Sequence, residues 1–199
     1  MLPNPRKTQT IRRLGTVDIA ALRAAVLAMP EALWDTENVA KPNRFDALDK
    51  TRHIVFRFVS NYRDWRLSYS RPIWEEWRYL LEPVLSEAIA SYGYARGDFP
   101  RVMLARMPAG GVIKLHRDAN PAAKWPHKVH VPLLTNDQVA FMIDGKSYHF
   151  PEGESVEVNN MGIHGVHNRG TTDRIHLIFE YFDKEQAPPA WALPLVETV

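Results

Sequence analysis

Beyond Gly93 the apolar residues of this chain come in runs too short to be helices. Stretches of Val, Ile, Leu, Phe and Met alternate with Gly, Pro, Asn and Asp, which reads as strands bounded by turns. Strands are expected near 101–107, 112–116, 128–134, 139–143, 146–150, 154–158, 163–168 and 174–182. Asp144-Gly145 supplies the residues that tolerate positive φ in a two-residue hairpin. Ahead of this region, Asp18 is placed to cap a helix over IAALRAAVLAMPEALW that Pro30 ends or bends. A polar loop over 35–50 and a strand over 53–60 follow. A second helix, over 72–92, is opened by Pro72 and closed by Gly93, with a kink or a division into two shorter helices expected at Pro83. Residues 1–13 read as a polar lead-in. Short strands that follow two helices predict a mainly β chain with flanking helices. The expected architecture is a double-stranded β-helix, or jelly roll, with the N-terminal helices packed on one sheet.

At 199 residues, one domain is expected over 1–199, with 1–95 a mostly helical support region and 96–185 the jelly-roll core. The chain has no cysteine, which excludes disulfides, thiolate metal sites and cysteine nucleophiles. The formal charge of +2 and the lack of a Lys/Arg block argue against nucleic acid as a partner. No apolar run approaches a membrane span and the N-terminus has no apolar leader, so a cytoplasmic protein with no membrane partner is expected. Trp65, Tyr69, Trp74 and Trp77 are read as packing residues. Oligomeric state is left open.

Histidine distribution carries the chemical signal. Seven of the eight histidines fall between 116 and 176, inside the strand region. His116 and Asp118, two apart on extended backbone, point to one side and can share an ion. A third ligand from a later strand, His164 or His167, would complete two imidazoles and a carboxylate on one face of an octahedral metal. That is the arrangement of non-haem Fe(II) oxygenases. His164 and His167 are three apart, so on a regular strand they face opposite sides and only one reaches the ion. Arg174 opens the strand RIHLIFEY, expected to pair with the His164 strand across a tight turn at 168–173. A guanidinium directed into the interior needs an anion there, either a bound dicarboxylate or, in an ordinary cross-strand ion pair, a glutamate of a neighbouring strand. Lys128 and His130 share one face of their strand, while Val129, Val131 and Leu133 share the other.

Four stretches occur in order between about 101 and 183: LARMPAGGVIKLHRD, HKVHVPLLTN, GESVEVNNMGIHGVHN and DRIHLIFEY. Together they resemble the aspartyl/asparaginyl β-hydroxylase family of Fe(II)/2-oxoglutarate-dependent oxygenases. The resemblance implies metal ligands at His116, Asp118 and His164, the last from the H-x-V-x-N segment, and so selects His164 over His167. It implies 2-oxoglutarate contacts at Arg174, His130 and Lys128, although the family commonly carries Arg where this chain has Lys128. It implies Fe(II) as cofactor, 2-oxoglutarate and O₂ as co-substrates, and hydroxylation of a C–H bond in an amino acid, peptide or protein side chain. Arg106 and Asn160 are candidate substrate contacts. The alternative is a cupin-like metal-containing binding or sensing module without turnover.

Overall fold

Alternation along His127–Leu134 separates two environments. Val129, Val131 and Leu133 are buried beneath helices, while Lys128 and His130 turn into a cavity on the opposite face. The computed structural model describes residue 7 and residues 9–44, 50–118 and 120–186. In chain order the elements are β1 (Ile11–Thr16), α1 (Ala20–Leu27), α2 (Glu31–Ala40), β2 (Arg52–Val59), β3 (Ser68–Ser70) and α3 (Pro72–Ile89). There follow β4 (Gly97–Met107), β5 (Val112–His116), β6 (His127–Leu134), β7 (Val139–Ile143), β8 (Lys146–Tyr148), β9 (Glu154–Val158), β10 (His164–Asn168) and β11 (Arg174–Asp183). They form a seven-stranded sheet, β1-β9-β6-β11-β4-β2-β3, and a four-stranded sheet, β5-β10-β7-β8. These two antiparallel sheets, with the helices on the outer face of the larger one, are the expected jelly roll.

The helical layer is held by apolar burial. Leu22, Val26, Trp34, Trp74, Leu81 and Leu85 pack on Ile54, Phe56, Val102, Leu104, Leu177 and Phe179. Each side chain buried this fully contributes about 1.5–3 kcal/mol. Trp65 packs in a second cluster with Phe58, Trp125 and Phe182, and Trp77 lies against the main core. Tyr69 instead stands exposed.

Several expectations need correction. Residues 35–40 are not loop: Pro30 separates α1 from a second helix, α2, that runs to Ala40. The 1–13 segment is not merely a lead-in, because β1 begins at Ile11 and pairs with β9. With β2 and β3, it makes the N-terminal half a contributor of strands as well as helices. Asp18 does not occupy the N-cap, which is Ile19, although its Oδ1 accepts the Ala20 N–H at 2.9 Å. Pro83 sits inside the single helix α3. The strands β10 and β11 are not partners. β10 pairs with β5 and β7, whereas β11 lies between β4 and β6 in the other sheet. The turn at 168–173 therefore crosses between sheets, and Arg174 faces the His164 strand rather than lying beside it. Asp144 and Gly145 take positive φ, as their hairpin requires.

Gly165 sits where β10 passes β5. A Cβ there would lie 2.7 Å from the Ile113 carbonyl and 3.2 Å from the Leu115 amide, both backbone atoms. Gly165→Ala is expected to cost about 1–3 kcal/mol by overpacking, read as a drop of about 2–4 °C in thermal midpoint per kcal/mol. An unchanged midpoint would mean that this approach is looser than described.

Candidate metal centre and its cavity

His116 ends β5 and stands directly opposite His164, which begins β10. Their ring centroids are 4.3 Å apart. Asp118, two residues past His116, is anchored by its N–H to the Asn160 carbonyl at 3.1 Å. One ligand atom from each of the three side chains lies within 4.8 Å of the others. Each imidazole donates Nδ1–H to a carbonyl, His116 to Lys114 at 2.8 Å and His164 to Gly162 at 3.0 Å. A carbonyl only accepts, so each ring carries a proton on Nδ1, which turns its Nε2 edge toward the other two side chains. Burial pushes His164 down to about 4, which keeps it neutral at neutral pH.

Asp118 is steered by its neighbours. Its Oδ2 accepts Lys128 Nζ and the Asn160 amide at 3.2 Å, and its Oδ1 lies 3.8 Å from His116 Nε2. Burial opposes its ionisation, but the charge of Lys128 and the electrostatic pull of His164, with hydrogen bonds from Lys128 and Asn160, hold it below the usual carboxylate range. Asn160 also donates to the Ala123 carbonyl at 3.1 Å and accepts from Lys7 Nζ. Lys7 is buried, and burial pulls its ammonium down to about 8. Nothing in the polar N-terminal sequence announced that a lysine there would brace this site.

The same cavity runs to Arg174, buried at the start of β11. Arg174 donates to His176 Nδ1 at 2.7 Å, and its Nε has no partner. His176 Nε2 and His130 Nδ1 are also buried without hydrogen bonds. Burial alone drives the guanidinium down to about 9, with no acidic group among the described residues offsetting it. A cation held this way needs an anion that the described part of the chain does not supply.

The sequence profile of the Aspartyl/Asparaginyl beta-hydroxylase family matches residues 70–184. The match spans more than half of the chain and includes every residue of the His–Asp–His group. This chain belongs to that family. No curated protein matches it. Among solved structures it is similar to a 2OG-Fe(II) oxygenase family oxidoreductase from Burkholderia pseudomallei, at 15% identity over 85% of this chain and 92% of that one, with a TM-score of 0.54. It is similar to the collagen prolyl hydroxylase vCPH of Paramecium Bursaria Chlorella virus-1, solved with 2OG, at 12% identity over 89% and 98%, TM-score 0.55. HygX from Streptomyces hygroscopicus, with nickel and 2-oxoglutarate bound, matches at 11% identity over 89% and 84%, TM-score 0.53. At these identities the likeness is one of fold. Among the described residues no helix is long and apolar enough to cross a membrane.

In this hydroxylase-family chain the remaining candidates divide. Lys128, His130 and Arg174 line the cavity with His116, Asp118 and His164. His167 does not line it, and its Nδ1 instead accepts from Arg169 at 3.2 Å. Arg106 is the clearest correction. It lies on the helix side of β4, over Trp34, bonded to Asp173 at 2.5 Å and Glu31 at 2.6 Å, so it is not available to a substrate in the cavity. Asn160 is fully buried behind Asp118 and positions that carboxylate rather than facing the cavity. Arg101 and Glu180, which also line the cavity, were missed by the sequence reading.

Buried histidines in and behind the cavity wall make stability acid-sensitive. Burial, then the charges of Lys41, Arg174 and Lys128, lower His53 to about 3, and burial also drives His130 and His176 well down. The folded pKa lies below the unfolded value of about 6.5. The stabilisation is therefore complete above that value and is lost as pH falls toward the folded one. Urea unfolding of metal-free protein should show stability declining from about pH 6.5 downward, by up to about 1.4 kcal/mol per pH unit for each such histidine. His53→Gln should shallow that decline, and an identical slope in the variant would contradict the assignment.

Proposed function

We propose that this chain is an Fe(II)- and 2-oxoglutarate-dependent dioxygenase that hydroxylates a C–H bond of an amino acid, peptide or protein side chain. One observation carries the proposal. A single cavity has two imidazoles and a carboxylate on one side, and a buried guanidinium without an anionic partner among the described residues at its end. The donor set suits Fe(II), because two nitrogen ligands and one oxygen ligand on one face leave positions for a bidentate co-substrate and O₂. The other end suits a dicarboxylate, since Arg174 Nε and His130 Nδ1 are buried polar atoms without partners. A cupin-like module with a purely structural metal gives no reason to bury that guanidinium.

In this reading His116 and His164 hold the metal through Nε2 and Asp118 through Oδ1. When bound, Fe(II), 2-oxoglutarate and O₂ supply oxidative decarboxylation to succinate and CO₂ and the oxidising power for C–H hydroxylation. The protein supplies orientation and exclusion. Lys128 and Asn160 occupy Asp118 Oδ2 and so keep Oδ1 turned toward the imidazoles. Arg174 takes the far carboxylate of 2-oxoglutarate, steadied by His176 and assisted by His130. Lys128, a point charge rather than a fork, adds positive potential for the co-substrate beside the trio.

Purified protein given Fe(II), ascorbate and 2-oxoglutarate should form succinate slowly without added substrate. Asp118→Ala should abolish this turnover. Arg174→Ala should raise the KM for 2-oxoglutarate by about 10- to 100-fold, as expected for losing charged hydrogen bonds of about 1.5–3 kcal/mol. Succinate formation that survives both substitutions at the wild-type rate would refute the proposal.

A further inference from the structure

The large-sheet wall of the cavity carries a second ionic group that the proposed chemistry does not use. Cross-strand register places Glu180 between Lys128 on β6 and Arg101 on β4. Along β11 it lies six positions from Arg174, roughly 20 Å at about 3.3 Å per residue. Lys128, in the same row as Glu180, reaches Asp118. The Arg101–Glu180 pair therefore stands at the other end of the large-sheet wall from Arg174, on the side where Lys128 meets Asp118.

Arg101 Nη1 donates to both carboxylate oxygens of Glu180 at 2.7 Å, and Nη2 donates to Asn120 Oδ1 at 3.2 Å. The guanidinium lies 5.2 Å over the Phe58 ring. Both charged side chains are under 8% exposed. Desolvating such a pair can cost more than its attraction returns, so packing alone does not explain its place on a cavity wall. A second observation falls at the same end. Asn43 is 3% exposed and lines the cavity, and its Oδ1 has no hydrogen-bond partner. Its amide touches the sulfur of Met103, two residues along β4 from Arg101.

We propose that this end is the substrate subsite and that it takes the zwitterionic head of a free α-amino acid. Arg101 receives the carboxylate. Glu180 and the unpaired Asn43 oxygen receive the ammonium. An apolar side chain then runs past Met103 and Ile178 toward the trio. The pair is neutral as a whole, so it selects adjacent opposite charges rather than net charge, and an α-amino acid carries both on one carbon. A residue within a polypeptide would bring neutral amides to the same groups. The charged side chains lining the cavity, Arg101, Lys128 and Arg174 against Asp118 and Glu180, also disfavour a ligand of net positive charge. This inference rests on the dioxygenase reading and narrows its substrate class.

The test is calorimetric binding to protein loaded with redox-inert Zn(II) and 2-oxoglutarate. The probes are the common L-amino acids, followed by the N-acetyl derivative, the carboxamide and the doubly blocked form of the tightest binder. An amino acid with an apolar side chain should bind at least about tenfold more tightly than either singly blocked derivative, a difference of about 1.4 kcal/mol. Arg101→Met should erase discrimination against the carboxamide. Asn43→Ala, which leaves the buried ion pair intact, should reduce discrimination against the N-acetyl form. A structural role would not produce losses specific to one side of the ligand. Equal binding of free and blocked forms, or binding of the doubly blocked form alone, overturns the subsite. Failure of 2-oxoglutarate itself to bind the Zn(II) protein would sink the dioxygenase reading and this inference with it. Normal 2-oxoglutarate binding without preference for free amino acids sinks only the subsite.

Discussion

The alignment of His164 with His116 across β10 and β5 is the constraint on which this protein's chemistry depends. Side chains alternate along a strand, so slippage by one residue would turn one imidazole away from the cavity. Three local features hold the register. Gly165 allows the two backbones to approach closely, the Asp118 amide bonds to the Asn160 carbonyl, and β7 pairs with the other edge of β10. The carbonyl acceptors on each Nδ1 then orient the two rings. Two imidazoles and a carboxylate so converge on one point.

Around that group burial and neighbouring charges act on His164 and Asp118. Burial keeps His164 neutral, and Lys128 and Asn160 keep Asp118 ionised and oriented. At the start of β11, Arg174 is buried with no acidic partner among the described residues, which is what the proposed dicarboxylate would offset. The two ends suit different ligands because the sheets present different side chains. The small sheet supplies the histidine pair, and the large sheet supplies the cations and the Arg101–Glu180 pair.

Much of this was legible in the sequence where local patterning and tertiary role agree. The short strands were readable because turn residues bound them. The division of Lys128 and His130 from Val129, Val131 and Leu133 follows from a period of two. What escaped was decided by distant partners. α2 is polar enough to pass for loop and owes its place to Trp34, buried against the sheet. β1 has only two partly buried apolar positions and exists as an edge strand on β9. Short turns usually join neighbouring strands, yet the one before Arg174 changes sheets. Arg106 could have been placed correctly, since period-two counting from the apolar Val102 and Leu104 puts it on their face of β4. Lys7 could not, because only the folded chain brings it to Asn160.

The central claim is that one metal and one dicarboxylate share a cavity built from both sheets. Anaerobic calorimetry of 2-oxoglutarate binding, with and without one equivalent of Fe(II), tests it most directly. The account predicts one metal per chain, 2-oxoglutarate affinity raised by at least about tenfold when metal is present, and loss of that enhancement in His164→Ala. Equal 2-oxoglutarate affinity with and without Fe(II), or an enhancement that persists in His164→Ala, would contradict it.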